Sequence, residues 1–265
     1  MVEWLSLFLF GRNLEHTMKL KTYLLICSCL FSVVAFAQTP KAIEADLLAS
    51  FKKIHYFRDK NDYEGVGKAD DVFAKKLKYY TEKYPTTINQ SFALLKNENL
   101  DISTSDDGLF RIYSWDTWSG GTMHFFESVF QYKLGPNTIS ILDTPKTEGD
   151  NRPNYIKLYT FKVNNKVYYL GVWIDIGSTL VGDNGIQVFA IENGELINDV
   201  KLIKTRSGLH SQLDYGYNNG WNESSEIYFD KKTKTIRLPL ISGSGRITHK
   251  FITYKFTGQY FEKVK

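Results

Sequence analysis

Tyr159-Thr-Phe-Lys-Val-Asn-Asn-Lys-Val-Tyr-Tyr-Leu-Gly-Val-Trp173 decides the fold. Two runs of β-branched and aromatic residues flank Asn164-Asn165, a dipeptide suited to a tight turn with positive φ, so the stretch reads as an antiparallel hairpin. Ile186–Ile191 and Leu196–Ile203, parted by Asn193-Gly194, repeat the arrangement. Working outward, the same period of two predicts strands at Phe110–Trp115, Met123–Lys133, Thr138–Leu142, Glu226–Phe229, Ile236–Ile241 and Phe251–Phe256. A last hairpin turns at Thr257-Gly258 and ends in Tyr260-Phe261. That amounts to nine to twelve strands, nearly all neighbours in sequence.

So long a meander cannot remain one flat sheet, and it must curl, split into a sandwich or close on itself. A β-propeller is the less favoured form, because it needs a repeat of about 40 residues. Phe110-Arg-Ile-Tyr-Ser-Trp-Asp116 weakly echoes Tyr169-Leu-Gly-Val-Trp-Ile-Asp175, and no third copy keeps step.

Before the strands the period is helical. Ile43, Leu47, Leu48, Phe51 and Ile54 recur at steps of three and four, predicting a helix over Lys41–Phe57. Val72, Phe73, Leu77, Tyr80 and Tyr84 form a second stripe that stops at Pro85, with Arg58–Gly67 as the link. A short third helix falls over Gln90–Lys96. The class is therefore α+β and mostly β: a helical segment over residues 38–100, packed on an antiparallel β domain over 101–265.

The first 37 residues predict export. Met18-Lys-Leu-Lys21 supplies a basic start, Tyr23–Ala37 an apolar run, and Ala35-Phe-Ala37 a small-residue cleavage site. The run is shorter than the roughly 20 residues of a spanning helix, so no stable membrane anchor is expected. Residues 1–17 fit no part of that template, which makes Met18 the expected start. Cys27 and Cys29 lie within the run, so the chain from Gln38 on has no thiol for disulfides, metal or catalysis. Secretion or delivery to the periplasm follows.

Taking Arg12, Lys19 and Lys21 from the 33 bases, and Glu3 and Glu15 from the 29 acids, leaves a net charge near +3 for the expected mature chain. That is too mild to indicate nucleic acid as a partner. Tyr and Phe, at 17 and 18 residues, are abundant instead, which agrees with strands.

Three clusters could carry function. In the first, Arg111, Tyr113 and Trp115 share a strand face that leads into Asp116, Trp118, Gly120-Gly121 and His124. Indoles beside carboxylates suit sugars, since ring faces take C–H groups while the polar groups direct the hydroxyls. The loop Asp116–Gly121 is thereby expected to line the largest concavity. The second cluster runs from His210 and Asp214 through Tyr215, Tyr217 and Trp221 to Glu223, read as a long loop. The third is Asp175 with Gly182-Asp-Asn-Gly185, whose spacing lacks the ligand order of a calcium loop.

No Gly-x-Ser-x-Gly elbow and no His-Glu-x-x-His is present, and nothing predicts a cofactor or a metal. The sequence therefore predicts an exported, non-catalytic binding protein that uses aromatic loops for a glycan, a peptide or an envelope protein. Its ligand-binding residues would be Arg111, Tyr113, Trp115, Asp116, Trp118, His124, Tyr217 and Trp221. The alternative is a hydrolase of polysaccharide or another envelope polymer, with Asp116 and Glu127, or Asp175 and Glu223, as paired carboxylates.

Overall fold

The computed structural model describes residues 39–144, 151–218 and 226–264. The expected export signal, Trp221 and Glu223 lie outside the described residues. No described helix is long and apolar enough to cross a membrane.

Helix α1 spans Pro40–Arg58 and buries Ile43, Leu47, Phe51 and Ile54, the stripe that its spacing predicts. Helix α2, Tyr63–Lys83, starts earlier than the expected link allows. Asp62 caps it by accepting from the Gly65 backbone N–H at 2.9 Å, and Asn61 turns the chain at φ 56°. Gly65 belongs to the helix because a Cβ there would lie 2.4 Å from the Phe57 ring, so its absence lets the two helices close. After a 3-10 turn at Pro85–Asn89, α3 covers only Ala93–Asn97.

Fifteen strands follow among the described residues, in three antiparallel sheets. The first sheet is a meander of β1 (Asp101–Thr104), β2 (Phe110–Asp116), β3 (Phe126–Leu134) and β4 (Asn137–Asp143). The second has the order β11-β7-β6-β5, with β5 at Asn154–Val163, β6 at Lys166–Ile176, β7 at Gly182–Glu192 and β11 at Gln212–Tyr217. Short β8, Glu195–Ile197, pairs with β7. The third sheet gathers β9 (Ile203–Thr205), β10 (Gly208–His210), β12 (Tyr228–Asp230), β13 (Thr235–Ile241), β14 (Ile247–Phe256) and β15 (Phe261–Lys263). One parallel contact, β15 with β9, interrupts the antiparallel rule.

Two strand expectations are corrected. Leu196–Ile203 is not one strand, because the chain leaves the second sheet after β8 and enters the third at β9, where Leu202 and Ile203 bury themselves. The second candidate loop holds a strand, β11, which pairs with β7 from Gln212 to Tyr217.

Face-to-face stacking of the sheets makes the core. Helices α1 and α2 cover one face of the first sheet, where Tyr113, Trp115 and Val129 meet Phe51, Phe73 and Leu77. Its other face, with Phe110, Ile112 and Phe130, packs on Tyr155, Tyr169 and Phe189 of the second sheet. The second sheet's reverse side, with Phe161, Leu170 and Val188, packs on Phe229, Ile236 and Phe261 of the third. The stack is open, and none of its sheets closes into a barrel. Both strands of the weak sequence echo, β2 and β6, are second in their meanders, so the echo marks equivalent places in successive sheets.

Candidate functional site

The Arg111, Tyr113 and Trp115 face is part of the core, and its assignment as a ligand-binding face is corrected. Trp115 is 0 % exposed, and its indole N–H donates to Asp70 Oδ1 at 2.8 Å. Tyr113 is equally buried and donates to Gln131 Oε1 at 3.0 Å, with burial pushing its hydroxyl up to about 12. The Arg111 guanidinium donates to the carbonyls of Thr87 and Gln90, both at 2.5 Å, and so pins the chain between α2 and α3. The sequence showed a shared face correctly, but the face meets helices instead of solvent.

The Asp116–Gly121 loop folds back on α1. Trp118 is half-buried: the Arg58 guanidinium lies 4.3 Å from its ring centroid, and the rings of His55 and His124 stand 6.0 and 5.7 Å away. Asp116 fixes the loop, accepting from the Trp118 N–H at 2.8 Å and pairing with His124 Nδ1 at 2.5 Å. This loop lines neither the cleft described below nor the shallower hollow of about 540 Å³ beside Lys133 and Tyr169. Neither hollow supports the expectation that this loop lines the largest concavity. Trp118→Ala should cost roughly 1–2 kcal/mol in a denaturant melt, the worth of a half-covered indole with a cation on its face. Trp118 adopts φ 56°, so Trp118→Gly should recover part of that loss by removing left-handed strain.

The pairing of Asp116 with Glu127 also fails on geometry. In the β2·β3 register Asp116 faces Phe126 while Glu127 faces Trp115, which puts the two carboxylates on opposite sides of the sheet. Tyr217 is buried on the β11 face opposite Asp214, its hydroxyl lying over Gly182.

A cleft of about 340 Å³ opens on the second sheet beside Phe130 and Asp143 of the first. Its floor is one face of β6, β7 and β11, and the register sets out its residues in three rows. Gly171 stands opposite Gln187, which stands opposite Gln212; Trp173 is followed by Gly185 and Asp214; Asp175 is followed by Asp183 and Gly216. The glycines run diagonally and make room. A Cβ on Gly185 would lie 2.2 Å from Cε2 and Cζ2 of Trp173, so the indole lies flat on the sheet there. Tyr155 leans over Gly171 in the same way, and its hydroxyl donates to Gln187 Oε1 at 2.5 Å.

Polar groups surround the indole. Asp143 and Arg152 form an ion pair of 3.5 Å at one wall, and Asn198 lies beside Gln187, which donates to its carbonyl at 2.7 Å. Burial raises the pKa of Asp175, and the charge of Asp183 adds to the rise. Burial also raises Asp183, with a further push from Asp214. His124 reaches this end, since its backbone N–H donates to the Ile176 carbonyl at 2.9 Å. Among the described residues no three His, Cys, Asp or Glu side chains are gathered to hold a metal ion.

Of these residues the sequence reading had separated Asp175 and Asp183 from Asp214, and it missed Trp173, Gln187 and Gln212 as site residues. A signal was available. Gly171, Trp173 and Asp175, like Asp183, Gly185 and Gln187, place glycine, polar and aromatic residues on every second position of long strands whose other face is apolar. No family model, curated protein or solved structure matches the chain.

Proposed function

We propose that the protein is an exported, non-catalytic binding protein that holds a glycan in the cleft of the second sheet. The observation that carries this reading is the Trp173 indole, laid on Gly185 between a row of amides, Gln187 and Gln212, and a row of carboxylates, Asp175 and Asp183. An aromatic plane takes the C–H face of a sugar ring, while amides that donate and accept on one side and carboxylates that accept on the other take its hydroxyls. The cleft is of a size that suits one or two sugar rings.

Binding to a panel of immobilised oligosaccharides, followed by titration of the intrinsic tryptophan fluorescence, tests the reading. Trp173→Phe narrows the platform while keeping the core filled, and Gln212→Ala removes an exposed amide. Each should weaken the best ligand by about five- to tenfold, the worth of one lost polar contact. An empty panel, or affinities indifferent to both changes, overturns the reading. Release of product from a bound oligosaccharide would replace it with the hydrolase alternative.

A further inference from the structure

The acidic row adds a chemical requirement. Asp175 and Asp183 stand directly opposite each other on neighbouring strands, and Asp214 is the diagonal neighbour of Asp183 on the next. Side chains in such positions have Cβ atoms about 5 Å apart directly and about 7 Å diagonally, where like charges destabilise a sheet. Local rules of this kind are broken chiefly at functional or strained sites. Among the described residues that line the cleft the cationic side chain is Arg152, and it pairs with Asp143 and donates to the Thr144 carbonyl at 3.3 Å.

A second observation points the same way. Trp173 is 9 % exposed, and its indole N–H has no partner among the described residues. That edge of the ring lies over Gly185, which stands directly opposite Asp214 in the register. The cleft therefore sets the edge of a largely buried indole, with its N–H unsatisfied, next to three carboxylates that form no ion pair among the described residues, the nearest positive charge on Asp175 being that of His124.

We infer that the ligand carries a protonated amine, and that the cleft selects a glycan containing unacetylated hexosamine units, with the ammonium seated between Asp175, Asp183 and Asp214. This rests on the glycan reading above and names its substrate class. An ammonium can donate three hydrogen bonds to carboxylates set too far apart for a metal shell, and it gains from an adjacent indole face. The binding step forms no covalent bond.

The test compares three oligomers of equal length: glucosamine, N-acetylglucosamine and glucose. They are titrated against the wild-type chain, Asp183→Asn and Asp214→Asn, both substitutions being at exposed positions. Wild type should bind the glucosamine oligomer at least tenfold more tightly than the other two, with affinity falling as salt is raised. Each Asn variant should lose most of that preference while melting at or slightly above the wild-type temperature, since it relieves a like-charge contact. If all three oligomers bind alike, or the neutral ones bind better, the amine inference fails and the glycan reading survives. If none binds, both fail. Oligolysine or calcium binding in a manner sensitive to Asp183, without glucosamine binding, overturns the inference in favour of a peptide or a metal.

Discussion

Trp115→Ala should cost about 3–5 kcal/mol of stability, the range for deleting a large buried aromatic side chain. The indole is fully enclosed between the first sheet and α2, edge-on to Phe73 at 5.1 Å between ring centroids. Truncation would leave a cavity and also strip Asp70 of the N–H that donates to it, stranding a buried carboxyl. In a chain of this size the melting temperature should fall by roughly 10 °C. Trp115→Phe should fall in between, since it refills most of the volume but leaves Asp70 unpartnered. Urea melts with an unchanged m-value would attribute the loss to the native core. A loss below that of Trp118→Ala would contradict the packing described here.

The second large effect is on pH. Burial pushes Asp70 up to about 7 and Glu127 up to about 8, each aided by neighbouring acids: Asp71 and Asp116 for Asp70, Asp70, Asp71 and Asp143 for Glu127. Folded-state values above the unfolded ones mean that the native chain holds these protons more tightly. The corresponding stability is fully present below the ordinary carboxylate range and is lost as pH rises through 7 and 8. Each carboxyl changes stability by at most about 1.4 kcal/mol per pH unit over its window, and Glu127 by less because it is partly open to water. The melting temperature should therefore drop by several degrees between pH 5 and pH 8.5. Glu127→Gln should flatten that slope and raise the melting temperature at the alkaline end. A profile flat over this range, or rising with pH, would show that the two carboxyls are solvated.

These two predictions concern a region that the sequence offered as a ligand site, and the discrepancy is instructive. Alternation along Phe110–Asp116 showed which residues share a face, because strand geometry alone determines that. It could not show what each face meets. Both sides of the first sheet are covered, one by α1 and α2 and the other by the second sheet, so a polar and aromatic face became an interior one. Arg111 and Tyr113 satisfy the carbonyls and amide of a turn and a neighbouring strand, which is ordinary business for buried polar groups.

The sequence by itself determined the elements that depend on short-range physics. The two helices follow from their apolar spacing and from Pro85, and the hairpins at Asn164-Asn165 and Asn193-Gly194 follow from residues that tolerate positive φ. The mostly β class and the antiparallel pairing of sequence neighbours come from the same source. Tertiary structure alone decided the rest: the division into three stacked sheets, the crossing of the chain between β8 and β9, and the return of β11 to pair with β7. That last pairing assembles the cleft, since it brings Asp214 and Gln212 beside Gly185 and Gln187 from the far side of an excursion through the third sheet. Local propensity carries no information about such a contact, because a strand edge will accept any partner whose faces match, and the match is set by what the whole stack must bury.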